Sequence, residues 1–152
     1  MARTSSTESQ SLSAPERRVL LDAARKSVVG GLSGTRLKIE LQAYPAALRE
    51  PRATFVTLYL HDELHGCIGS LEARRPLIED VIDNAYAAAF HDTRFPALTA
   101  ADLEQLSVHL SLLSPLVPMR FESEADLLRQ LRPGADGLVL TEHHHRGTFL
   151  PA

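Results

Sequence analysis

Ala53-Thr54-Phe55-Val56-Thr57-Leu58-Tyr59-Leu60 runs through His61-Asp62-Glu63 into Leu64-His65-Gly66-Cys67-Ile68-Gly69-Ser70-Leu71. This stretch decides the fold. Its first half is β-branched and aromatic and is bounded by polar residues, so it reads as a central strand. The His-Asp-Glu triplet turns the chain. The second half returns as the partner strand, and two glycines within it predict a bulge or a close approach of another backbone.

Working outward, Pro76 stands where a first helical turn tolerates it. Leu77, Val81, Ala85, Ala88 and Ala89 follow as an apolar stripe, small enough to lie close on a sheet. His91-Asp92-Thr93-Arg94-Phe95-Pro96 ends that helix. Thr99 to Asp102 caps a short helix. Leu106, Val108, Leu110 and Leu112 then alternate with Ser107, His109 and Ser111, the period of a half-buried strand. Ser123 to Asp126 has capping spacing, with Leu127, Leu128 and Leu131 as an inner face. Pro133 to Gly137 is turn chemistry. Residues 138–141 and 148–150 predict a last hairpin.

Upstream, Ser13-Ala14-Pro15-Glu16 fits a capping box, and apolar residues at helical spacing predict a helix over about 14–29, stopped by Gly30-Gly31. Leu37, Ile39 and Leu41 alternate with polar residues and predict a short strand. Residues 1–13, rich in Ser and Thr, read as a mobile tail before a single domain over 14–152. Helices and strands mix without a βαβ rhythm. The expected class is α+β, with a mainly antiparallel sheet and flanking helices.

Composition narrows the function. The 152 residues are 44% hydrophobic and 23% charged, which is globular. A net charge of −3, 5% aromatics and no Trp disfavour nucleic acid as a partner. One cysteine excludes an intrachain disulfide and a four-cysteine zinc site. No apolar run approaches a membrane span, and no secretory leader is legible, so a cytoplasmic protein is expected. HExxH, Walker A, GxSxG and GxGxxG signatures are missing from the sequence. No cofactor and no metal site is expected.

Three places carry candidate chemistry. Cys67 has His65 two residues away, on the same strand face if the strand is regular. The imidazole would take the thiol proton, and the thiolate is the nucleophilic form. Gly66 and Gly69 would leave backbone amides open to a ligand. The plainer reading of Cys67 is a small buried hydrophobe. Asp92 and Arg94 would bind a polar substrate, Arg94 through its planar donor fork, with Phe95 beside them. Their plainer reading is an ion pair fixing a turn. His143-His144-His145 reads as a solvated hairpin tip, because adjacent strand residues alternate faces and two ligands make a poor metal site.

Five segments in order resemble one family. They are Leu64 to Leu71, Ala87 to Leu98, Leu112 to Leu116, Arg132 to Leu140 and Gly147 to Pro151. The chain from about residue 15 onward resembles the AMME-syndrome candidate-gene family, called AmmeMemoRadiSam system protein A in bacteria. The resemblance implies two closely packed subdomains with a cleft between them. It implies a pathway shared with Memo-like and radical-SAM proteins, and it implies no settled reaction. The family's glycine-cysteine motif falls on Gly66, Cys67, Ile68 and Gly69, and its acidic-basic-aromatic motif on Asp92, Arg94 and Phe95. Two departures stand out. His65 occupies a position where the family usually has arginine. The sequence also stops at Pro151-Ala152 where relatives usually continue, which predicts exposed apolar surface or a homo-oligomer that covers it.

Two functions fit these residues. One is a thiol-dependent enzyme acting on a small polar substrate, with Cys67 as nucleophile, His65 as base, and Asp92 with Arg94 orienting the substrate. The other is a non-catalytic adaptor that holds a small-molecule ligand or a protein on the same strand.

Overall fold

The structure is a computed structural model that describes residues 2–5 and 11–150. In chain order its elements begin with β1 (Ala2–Ser5), α1 (Ala14–Leu32), α2 (Ala46–Arg49), β2 (Thr54–Leu60) and β3 (Glu63–Gly69). They continue with α3 (Leu77–Phe90), β4 (Leu106–Leu112), β5 (Val117–Pro118), α4 (Glu124–Gln130), β6 (Asp136–Glu142) and β7 (His145–Phe149). Short 3₁₀ helices cover Leu41–Ala43 and Ala100–Gln105. All strand pairs are antiparallel, and the class is α+β as expected.

The chain divides into two compact units, one of which is Leu12–Leu112. Its sheet has the order β3-β2-β4. Thr54, Val56 and Leu58 are buried while Phe55, Thr57 and Tyr59 are half-buried, so β2 shows one face to the helices. The β2–β3 turn is two residues long, and His61 and Asp62 have φ of 50° and 64°. Two left-handed residues match the right-handed twist of a tight hairpin. The expected bulge is present. Leu58 pairs with Gly66 and Tyr59 with Leu64, which leaves His65 as the extra residue.

The same unit holds α1 and α3. Ser13 Oγ accepts from the Glu16 amide and Glu16 Oε2 accepts from the Ser13 amide, so the capping box forms. Leu20, Ala23, Ala24, Ser27 and Val28 form the buried stripe of α1. The helix does not stop at Gly30-Gly31. It runs on to Leu32, and the chain turns at Gly34, with φ +74°. A Cβ at Gly31 would lie 2.2 Å from Cε2 of Phe90, so that glycine serves the contact with α3. The alanine face of α3, with Ala85, Ala88 and Ala89 buried, packs on the sheet as read from sequence.

The strand expected at residues 37–41 is a correction. Leu37, Ile39 and Leu41 do pack on the core at alternate positions, but the segment joins neither sheet and passes into a 3₁₀ turn. Alternation records which side chains face inward and does not supply a main-chain partner.

The second unit comprises the N-terminal residues through Ser11 and the chain from Leu113 onward. Its strand order is β5-β1-β6-β7. The mobile tail expected over 1–13 meets a strand here. Ala2–Ser5 pair with Val117 and Pro118 on one side and with Asp136 to Val139 on the other. Main-chain pairing needs no apolar signature, so a side-chain reading misses it. Residues 1 and 6–10 of that expectation lie outside the described residues. The β6–β7 hairpin turns at His143, φ 53°, and the three histidines are exposed as expected. Among the described residues no helix is long and apolar enough to cross a membrane.

Candidate functional site

β3 is an edge strand, and the loop after α3 occupies its free side. The Cys67 amide donates to Oδ2 of Asp92 at 2.9 Å, and the Cys67 carbonyl accepts from Nη2 of Arg94 at 3.3 Å. Two side chains thus stand where a neighbouring strand would pair, which also blocks the edge against foreign strands.

Asp92 is the hub. Its Oδ1 accepts from the amide and Nε of Arg94 at 3.2 and 3.0 Å, and its Oδ2 also accepts Nη2 of Arg94 at 2.7 Å. The Asp92 side chain is 5% exposed and that of Arg94 is 59% exposed. Hydrogen bonds from the Arg94 side chain hold the carboxyl far below the usual carboxylate range, against the opposing effect of burial. The backbone N–H groups of Cys67 and Arg94 add to the shift. The same pair raises the Arg94 guanidinium. Phe95 follows in the turn, its amide donating to the Asp92 carbonyl at 3.1 Å. Its ring centre lies 5.3 Å from Cζ of Arg94.

The Cys67 side chain is half-buried, and Sγ accepts from Oγ1 of Thr57 at 3.3 Å. Thr57 is directly opposite Cys67 in the ladder. The sequence reading overlooked it, although the hairpin register was enough to find it. His65 is the bulged residue, so the regular alternation that paired it with Cys67 is interrupted. Its ring lies 6.0 Å from that of Phe95. Its Nε2 is buried and has no hydrogen-bond partner among the described residues. Asp102, held below its ordinary range mainly by the Thr99 amide and hydroxyl, also feels His65 and His61.

Gly66 and Gly69 meet packing demands. A Cβ on either would lie 2.2 Å from a backbone oxygen, that of Ala88 for Gly66 and that of Thr54 for Gly69. The first lets α3 touch the sheet, and the second closes the end of the β2–β3 pair.

A second polar group, also missed from sequence, pins α3 to β2. Thr54 Oγ1 donates to Asp80 Oδ2 at 2.5 Å, and Asn84 Nδ2 donates to Thr54 Oγ1 and to Asp80 Oδ2, each at 3.0 Å. Arg75 reaches Asp80 Oδ1 and Asp83 Oδ2, both at 2.6 Å. The available signal was Asp80 and Asn84, four residues apart in phase with the apolar stripe. Among the described residues, no three His, Cys, Asp or Glu side chains gather as a metal site.

The AMMECR1 family model matches residues 21–152. The chain belongs to the AMMECR1 family. It is 37% identical over 140 residues to a protein of Methanothermobacter thermautotrophicus, covering 92% of this chain and 73% of that one. It is 35% identical over 130 residues to a protein of Methanocaldococcus jannaschii, covering 84% and 64%. An uncharacterised protein of Pyrococcus horikoshii has the same fold in its crystal structure. The TM-score is 0.82 at 28% identity, over 92% of this chain and 71% of that one. For this AMMECR1 domain, the structure brings Cys67, Asp92, Arg94 and Phe95 together, and the buried Nε2 of His65 has no partner among the described residues. The arrangement fixes the Cys67 backbone and presents a guanidinium, anchored on one side, to solvent.

Proposed function

We propose that this AMMECR1-family chain is a non-catalytic binding module that docks the anionic group of a small polar ligand on Arg94 at the β3 edge. One observation carries the reading: the Asp92 carboxylate is fully engaged by the Cys67 amide and by three N–H groups of Arg94. A carboxylate so held is a poor proton acceptor. Nε2 of His65 is sealed from solvent and has no hydrogen-bond partner, Asp92 included, among the described residues. Arg94 keeps Nη1 uncommitted among the described residues, on a side chain mostly in solvent. Anchoring by Asp92 sets that donor before a ligand arrives, which reduces the ordering cost of binding. Phe95 supports the guanidinium from the side.

Inorganic phosphate serves as the probe, followed by amide NMR shifts of the whole chain. Saturable shifts at Cys67 and Arg94 are expected, retained in Cys67→Ser, weakened in Arg94→Lys and lost in Arg94→Ala. Loss of binding in Cys67→Ser, or no shift in the parent chain, would sink the reading.

The second reading, a thiol-dependent enzyme for a small polar substrate, is favoured by the hydroxyl of Thr57 donating to Sγ. Iodoacetamide distinguishes the two: alkylation much faster than that of free cysteine at pH 7 supports the enzyme, and ordinary slow alkylation removes it. A cytoplasmic setting and partnership with Memo-like and radical-SAM proteins belong to this proposal through the family resemblance alone.

A further inference from the structure

The segment before the first 3₁₀ turn is extended and has no mate. Leu37, Ile39 and Leu41 pack inward, and Arg36, Lys38 and Glu40 are exposed. Among the described residues, nothing hydrogen-bonds the main chain of Arg36, Leu37, Lys38 or Ile39. A row of open N–H and C=O groups is a template for another strand. Beside it lies an open groove of about 470 Å³, lined by α1 residues that include Val19 and Ala23 and by Tyr44. Arg36 is committed to Asp83 at 2.9 Å and stacks on Tyr86. Lys38 and Glu40 have no ionic partner among the described residues.

The order of residues identifies the mate. Leu37-Lys38-Ile39-Glu40-Leu41 has the same apolar pattern from either end and opposite charges at its two inner polar positions. Two copies paired antiparallel with the Ile39 main chains as the hydrogen-bonded pair place Lys38 opposite Glu40 twice. They bring Leu37 beside Leu41, where the 3₁₀ turn begins and the Glu40 and Leu41 carbonyls already accept from the Ala43 and Tyr44 amides. Unlike charges directly opposite across strands are favourable and like charges are not. Parallel pairing in register would set Lys38 against Lys38 and Glu40 against Glu40. We propose that a second copy of this chain docks along the extended run that ends at Glu40, giving a two-fold dimer centred on Ile39.

The test is sedimentation velocity on the whole chain over a concentration series. The parent chain is expected to dimerise. Lys38→Glu and Glu40→Lys each place like charges at both crossings, so each alone weakens dimerisation by roughly tenfold or more. An equimolar mixture of the two variants restores unlike pairs at both crossings and re-forms the dimer. Both positions are exposed, so unchanged circular dichroism melting at dilution where the parent chain is monomeric serves as the folding control. Three results overturn the proposal: a parent chain that stays monomeric at millimolar concentration, a dimer that ignores both reversals, or a mixture that stays monomeric. A monomer that instead captures extended peptides of unrelated sequence assigns the edge to another partner and equally overturns it.

Discussion

The Asp92 carboxylate accepts the Cys67 amide at 2.9 Å across 25 residues of sequence, and this bond joins the loop after α3 to the edge of β3. Asp92→Ala leaves that amide and the Arg94 fork without their acceptor. Removing one partner of a buried charged pair costs about 3–5 kcal/mol. The half of the pair in solvent reduces this, so a loss of about 2–3 kcal/mol in urea unfolding is expected. Asp92→Asn keeps the shape and loses the charge, and is expected to fall between the two proteins.

The same carboxyl fixes a pH dependence. Its folded pKa is depressed, so its contribution is present above the unfolded value of about 3.9 and is lost as pH falls below that value. Unfolding free energy measured from pH 6 to pH 2.5 is expected to fall on the acid side, and to fall less steeply in Asp92→Asn. Parallel curves for the two proteins would show that Asp92 is not the source.

Glycines separate by what surrounds them. Gly66→Ala and Gly69→Ala drive a methyl to within 2.2 Å of a backbone oxygen that cannot swing away. Each is expected to lose about 1–3 kcal/mol or more, as overpacking does. At Gly147 the nearest atom to an added Cβ is the Phe149 ring at 3.7 Å, an ordinary contact. Gly147→Ala is expected to stay within about 0.5 kcal/mol of the parent. Thermal melts of the three variants check the ranking.

What the sequence made legible follows from which forces leave a local mark. The β2–β3 hairpin, the α3 stripe and the caps at Ser13, Thr99 and Ser123 were readable because periodicity and capping chemistry act within a few residues. Gly30-Gly31 misled because glycine also marks close packing, and the Phe90 ring that fills the space is far away in sequence. β1 was missed because its main-chain pairing leaves no side-chain signature. At the site, Cys67 and the Asp92-Arg94-Phe95 turn were named as two separate places, joined only in a shared functional reading, and the bulge at His65 and the cross-strand contact from Thr57 depend on register. That Asp92 would be fully occupied by its neighbours depends on three-dimensional convergence of donors and had no local sign.

The buried polar group on α3 gives the last prediction. Asp80 is 3% exposed and accepts from Thr54, Asn84 and Arg75. In Asp80→Ala the Arg75 guanidinium keeps Asp83 but loses its buried partner, and two further donors lose an acceptor. The expected cost is about 3–5 kcal/mol. Thr54→Val conserves shape, removes a single hydroxyl and is expected to cost about 1–3 kcal/mol. Because both changes break one network, the double variant should lose clearly less than the sum of the two. Urea unfolding of the four proteins in that cycle measures the coupling, and strict additivity would mean that Thr54 and Asp80 stabilise the α3–β2 contact independently.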